Sequence, residues 1–196
     1  VTRIMSNISA QDIDMNNPYN YAAQGFPAVD YLLFGLAESN DLILNNYIND
    51  NGNTNIFMAY LSLVVERMHV NTQGVLDYWN NNKIDFISST GNTSTSSLNM
   101  LANDFVYYFE KGLRANKIGI PAGVWSGLLP QNVEAYYKQD ISKILAKEAL
   151  QASDDFFNGI HFGEAQVNGE GLYDYLAYLD DTNYSDSSMF TGLNDD

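Results

Sequence analysis

The stretch Gly25-Phe26-Pro27-Ala28-Val29-Asp30-Tyr31-Leu32-Leu33-Phe34-Gly35 combines two glycines, a proline and one carboxylate with an otherwise apolar run. Pro27 suits the first turn of a helix, because its missing N–H would have no partner there. Apolar residues then recur at helical spacing and predict one buried stripe, with Asp30 on its flank. The members of this stripe are Val29, Leu32, Leu33 and Leu36. By themselves, these residues predict a short buried helix with one carboxylate and leave function open.

The composition predicts one folded domain and excludes several classes of function. The chain has 196 residues, 45% of them apolar, and a formal net charge of −15. That charge argues against nucleic acid and anionic membrane surfaces as partners, and it favours solubility and the binding of cations. Cysteine is absent, which excludes disulfides, thiolate metal sites and thiol catalysis. No apolar run reaches the roughly 20 residues of a transmembrane segment.

Helical periodicity dominates the rest of the chain. The longest patterns cover about residues 54–80, 97–116 and 132–158, and shorter ones cover 38–50 and 172–179. Residues 1–24 are rich in Asn, Asp and Ser and are predicted to be an extended or looped lead-in. No strand pairing and no internal repeat is visible. The pattern predicts an all-α fold, an up-and-down helical bundle.

Three elements, in order along the chain, carry a resemblance to a known family. They are Gly25–Gly35, the turn Lys117-Ile118-Gly119-Ile120-Pro121-Ala122-Gly123, and the later helix with Ala135–Ser142 and Phe156–Gly159. Together they span about residues 24–180. The chain resembles the imelysin-like proteins, peptidase family M75, whose signature Gly-x-His-x-x-Glu precedes a Tyr-Leu-Leu-Phe-Gly-like run.

The chain departs from that signature at its two chemical positions. A His and a Glu three residues apart share one helix face and make a serviceable ligand pair for zinc or iron. Here the His position is Pro27, which offers no donor atom, and the Glu position is the shorter Asp30. Peptidase activity is therefore not expected, and Asp30 is left as the one candidate metal ligand of the motif.

The resemblance implies a binding or accessory role in bacterial iron uptake. The implied partners are iron or an iron-containing ligand and other cell-envelope uptake components, and the implied metal is iron or another divalent cation. Imelysin-like proteins are longer, so residues 1–196 are expected to be the C-terminal portion of a helical domain. The protein is expected to be exported to the periplasm or cell surface, with a lipid anchor on the preceding part. A family M75 metallopeptidase and a structural helical domain with a degenerate site are the alternatives.

A ligand cleft is predicted between the start of the signature helix and the Lys117–Gly123 turn. Both segments are punctuated by Gly and Pro, which suits close backbone approach. One carries a carboxylate and free helix N–H groups and the other a cation, so opposite charges could meet there. The candidate ligand-binding residues are Gly25, Pro27, Asp30, Tyr31, Arg114, Lys117, Gly119, Pro121 and Gly123.

Two further patterns have metal-ligand spacing. Glu66 and His69 form Glu-x-x-His, which serves di-iron bundles only when a second copy exists, and none does. They are predicted to lie on a polar face. Gly159–Glu164 matches Gly-x-His-x-x-Glu by letter without the apolar run that follows the family motif, so it is interpreted as a coincidence. The alternative is a loop that presents His161 and Glu164 to one cation.

Overall fold

Helices account for the regular structure of the chain in a computed structural model that describes residues 1–11, 13–48, 55–163 and 168–183. The α-helices are α1 (Thr2–Ala10), α2 (Gly25–Phe34), α3 (Asn40–Ile48), α4 (Ile56–Ser88), α5 (Ser97–Tyr107), α6 (Gln139–Phe157) and α7 (Leu172–Asn183). Short 3₁₀-helices cover Pro18–Ala23 and Pro130–Asn132, and a π-helix, Tyr108–Gly119, continues α5. The described residues contain no strand, only one isolated bridge between Ile160 and Asn168. The predicted all-α fold is confirmed.

The core forms where α2 packs against the first half of α4. Leu32 and Ala28 of α2 and Tyr60 and Val64 of α4 are almost completely excluded from solvent. α1 closes the other side with Ile4 and Ile8, one helical turn apart. Burial of these side chains is the main stabilising contribution of this half of the molecule.

A buried polar network fixes α1 against this core. The Asn7 amide donates to Asn20 Oδ1 at 3.0 Å and to the Tyr60 hydroxyl at 3.3 Å. The Tyr60 hydroxyl in turn donates to the Ala23 carbonyl at 3.0 Å. Burial raises the pKa of Tyr60, while its hydrogen bond with Asn7 lowers it by less. Each buried polar group has a partner here, so the network specifies one packing of α1.

The lead-in prediction was wrong for residues 1–24. The segment contains α1 and the 3₁₀-helix Pro18–Ala23, capped by the Asn17 side chain, which accepts from the Tyr19 N–H. The Asn residues that suggested turns are used as buried partners or as caps. The stripe of α2 also differs from prediction, because Leu33 is 38% exposed.

The two later long helices are divided differently from the prediction. The pattern at 97–116 is an α-helix only to Tyr107, after which the backbone widens into a π-helix. The pattern at 132–158 becomes α-helical only at Gln139, because Val133 is extended and Ala135 has a φ of 55°. A left-handed residue interrupts an α-helix.

α4 is longer than predicted, and its second half is not covered. The helix has 33 residues, a length of about 50 Å at 1.5 Å per residue. The face that carries Val64 in the core continues through Val75 and Trp79, which are 71% and 46% exposed. Trp79 meets Phe86 edge-on at 5.3 Å between ring centroids. None of the described helices is long and apolar enough to span a membrane.

Replacing Leu32 by Ala should destabilise the protein far more than the same change at Leu33. Leu32 is fully buried, so Leu32→Ala should lower the free energy of unfolding by about 2–5 kcal/mol. Leu33→Ala should lower it by less than about 1 kcal/mol, because its side chain is already partly in water. Urea unfolding followed by circular dichroism measures both. Equal losses would show that α2 packs through a different face.

Candidate functional site

The carboxylate of Asp30 lies against the chain just before α6. Its Oδ2 accepts the Tyr137 N–H at 2.8 Å and its Oδ1 accepts the Lys138 N–H at 2.9 Å. Asp30 is only 9% exposed. The carboxylate therefore satisfies two amides at the N-terminal end of α6, where the helix dipole also favours a negative charge.

Aromatic contacts surround this hydrogen-bonded pair. The rings of Tyr31 and Tyr137 lie 5.2 Å apart, and Tyr136 meets Tyr137 edge-on at 5.1 Å. A Cβ on Gly35 would lie 2.5 to 2.7 Å from the Tyr137 ring, so only glycine fits at the end of α2. The Lys138 ammonium lies 5.4 Å from the Phe34 ring centroid. Residues 136–138 therefore pack against the signature run Tyr31–Gly35.

The pKa of Tyr137 is raised, first by burial and then by Tyr31, Tyr136 and Asp30. Burial likewise raises the pKa of Tyr31. Both phenols are therefore neutral at neutral pH. Their rings pack against each other.

An ion pair holds the other side of the same segment. Lys117, at the end of the π-helix, pairs with Glu134, and the Lys117 side chain is 19% exposed. The backbone carbonyl of Ala135 accepts the Ser142 hydroxyl at 3.0 Å, which ties the segment to α6 as well. Residues 134–138, which we call the joint segment, therefore contact both Asp30 and Lys117. The two predicted halves of the cleft are attached to one short piece of chain.

The Lys117–Gly123 turn is tightly built. Gly119 is buried beneath the Trp125 ring, with no room for a side chain, and Pro121 is buried beside it. Gly123 has a φ of 73°, a conformation that suits glycine. The Arg114 guanidinium lies 5.6 Å from the Trp125 ring centroid, and Arg114 also pairs with Glu110. Its side chain remains 55% exposed.

The start of α2 is more open. Gly25 has a φ of 73°, where the chain turns into the helix. Pro27 is exposed, as is Phe26. The His position of the family signature therefore presents a ring without donor atoms to solvent. The hydrogen bonds of Asp30 run to the joint segment rather than to the Lys117–Gly123 turn.

The donor set does not fit a resident metal at the signature. Among the residues that the structure describes, no group of three or more His, Asp or Glu side chains could hold a metal ion. Glu66 and His69 are exposed on α4, as predicted for a polar face. His161 is exposed, and Glu164 lies outside the described residues. Nothing in the sequence pattern had pointed to Glu134, Tyr137 or Lys138 as partners, because Ala135 interrupts the helix that the pattern predicted.

Asp30→Asn tests whether this carboxylate holds the joint segment. An amide nitrogen would face one of the two N–H groups, and an unsatisfied buried donor should cost about 1–3 kcal/mol of unfolding free energy. Asp104→Asn removes the same charge at an exposed position of α5 and should cost less than about 1 kcal/mol. Denaturant midpoints of both variants measure the difference. A loss at Asp30 no larger than at Asp104 would contradict the role described here.

Comparison with known proteins agrees with the resemblance noted in the sequence. The family description Imelysin, peptidase family M75, matches residues 3–191. No curated protein and no solved structure matches the chain significantly. The matched range contains α2, the Lys117–Gly123 turn and α6, the three elements that build the site. The chain therefore belongs to the imelysin family.

Proposed function

We propose that this chain is an exported binding or accessory protein of bacterial iron uptake. It works in the periplasm or at the cell surface, together with other cell-envelope components, and family membership supports an extracytoplasmic location. The observation that carries the proposal is the state of the signature: Pro27 has no donor atom, and both oxygens of Asp30 accept backbone amides. A hydrolytic metal would find no ligand pair here. The same scaffold remains suited to binding.

The proposed ligand site is the region around the joint segment, between the start of α2 and the Lys117–Gly123 turn. Asp30 and Lys117 each contact this segment, which supports a shared site. Gly119 and Gly123 keep the turn compact, and Arg114 stands exposed beside it. Asp30 holds the joint segment in position, and exposed cationic side chains bind the ligand.

The charge distribution favours an anionic ligand. Residues 110–140 contain four cations and three carboxylates, in a chain whose formal net charge is −15. This is the least acidic long stretch around the site. Its Arg114, Lys117 and Lys138 pair with its three carboxylates, and Lys111 leaves the stretch with one cation in excess. Guanidinium and ammonium groups bind carboxylates by charge-assisted hydrogen bonds. Because these side chains are cationic, iron would arrive as an anionic chelate rather than as a bare cation.

Trp125 offers a direct optical test of this site. It lies against Gly119 and beneath Arg114, whereas Trp79 is on the distant half of α4. In a Trp79→Phe background, ferric citrate should quench the fluorescence of Trp125 with saturation. Gallium citrate, which does not quench by electron transfer, should compete with the ferric complex. Citrate alone serves as the baseline.

Arg114→Ala should weaken the binding of ferric citrate by about tenfold, since its side chain is exposed and one charge-assisted contact is worth roughly 1.5–3 kcal/mol. Lys147→Ala removes an exposed Lys on α6 and should leave the affinity unchanged. Equal affinities for the two variants would refute the site. Absence of any saturable binding would favour the structural-domain alternative.

The metallopeptidase alternative makes a different prediction. Purified protein incubated with casein and zinc should show no cleavage that a chelator suppresses, because the signature lacks a ligand pair. The control is the same digest with a zinc protease. Chelator-sensitive cleavage that Asp30→Ala abolishes would establish the peptidase and overturn the binding role.

A further inference from the structure

Two apolar surfaces of the described chain are open and lie on different elements. The first, the α4 stripe, consists of Val75, Trp79 and Phe86 on the face that α4 buries nearer its start. The second, the α5–α6 groove, is lined by Leu101, Phe105, Tyr108, Ala152, Ser153 and Phe156 and encloses about 300 Å³. Open apolar surfaces of this kind mark interaction sites.

The groove has a shape that suits a helix. Phe105 forms its floor, stacked on Phe156 at 5.6 Å and on Phe157 at 6.1 Å. A second hollow of about 260 Å³ adjoins the first, sharing Phe105 and Ser153, and is also lined by Asp154. Two adjacent hollows can receive two side chains that are one helical turn apart, as at positions i and i+4.

The stripe presents such a pair with the matching chemistry. Trp79 has the bulk for the apolar hollow, and Lys83 follows it by one turn. Lys83 is exposed and has no ion pair within the described residues. Asp154 is the charged residue that lines the second hollow. The surfaces are therefore complementary in both shape and charge.

We propose that these surfaces join two copies of the chain in a reciprocal dimer. The α4 stripe of each copy lies in the α5–α6 groove of the other, with Trp79 in the first hollow and Lys83 beside Asp154. Because the contact occurs twice about a two-fold axis, it closes and does not extend into a filament. The exposed parts of the aromatic residues in one contact, doubled by symmetry, supply roughly 800 Å² of interface, which suits a weak, reversible dimer.

The net charge of −15 opposes association of two copies. The Lys83–Asp154 pair at each contact offsets part of this repulsion. Each stripe–groove contact brings a cation to a carboxylate, which makes the pairing specific for groove against stripe. At physiological ionic strength the screening length is about 8 Å, so the distant like charges are damped more than the close pair. Association should therefore weaken at low salt, where the overall repulsion is greatest.

Sedimentation velocity of the full chain over about 1–100 µM tests the proposal. The wild type should pass from monomer to dimer in this range. Trp79→Ser should raise the dissociation constant at least about tenfold, as for a central aromatic anchor. Tyr19→Ser, which alters an exposed aromatic residue away from both surfaces, should leave it unchanged. A wild type that stays monomeric throughout would overturn the proposal.

A mixing experiment tests which surfaces meet. Lys83→Glu alone and Asp154→Lys alone should each be monomeric, because each homodimer would contain two like-charge pairs. An equimolar mixture of the two variants should dimerise, since every contact in that heterodimer is again between opposite charges. Circular dichroism verifies that both variants are folded. A mixture that remains monomeric, or a Lys83→Glu variant that dimerises like wild type, would overturn the stripe–groove contact.

Discussion

The arrangement of the helices depends on one carboxylate, that of Asp30, and on the two amides that it accepts. The bonds join residues 107 and 108 positions apart in the sequence. A buried carboxylate without partners would be costly, so the two charge-assisted bonds both offset that cost and fix where α6 begins. Through this contact the half built from α1–α4 meets the half built from α5–α7. Gly35 leaves the room that the Tyr137 ring needs to complete the junction.

Features that depend only on neighbouring residues could be predicted from the sequence. α3 and α4 begin close to their predicted positions, and Asn55 caps α4 by accepting the N–H groups of Phe57 and Met58. Gly25 and Gly123, which lie in the two segments predicted to need glycine, both have a positive φ. Such features are legible because each is determined within a few neighbouring residues.

Features that depend on contacts between distant residues could not be predicted from the sequence. The apolar spacing of Val133 and Tyr137 continues that of α6, yet Ala135 is left-handed and the Tyr137 amide bonds to Asp30. The Asn-rich start was interpreted as loop because the partner of Asn7, the Tyr60 hydroxyl, lies 53 positions away. For the candidate site, the motifs singled out Asp30 and Lys117 but not the joint segment that contacts both. Hydrogen bonds and ion pairs between residues so far apart in the chain leave no periodic pattern in the sequence.

The same bonds explain why the signature carboxylate is poorly placed to bind a metal. For Asp30 to coordinate a metal through the lone pairs it now uses, both amides would have to be released, at about 1–3 kcal/mol for each unsatisfied buried donor. Its remaining lone pairs are buried with it, and Pro27 beside it supplies no ligand. The groups that can meet a ligand without such a cost are those already in water, above all Arg114 with more than half its side chain exposed. In this chain the signature helix positions the joint segment, and the exposed charge of Arg114 lies on the π-helix that the Lys117–Glu134 pair joins to the same segment.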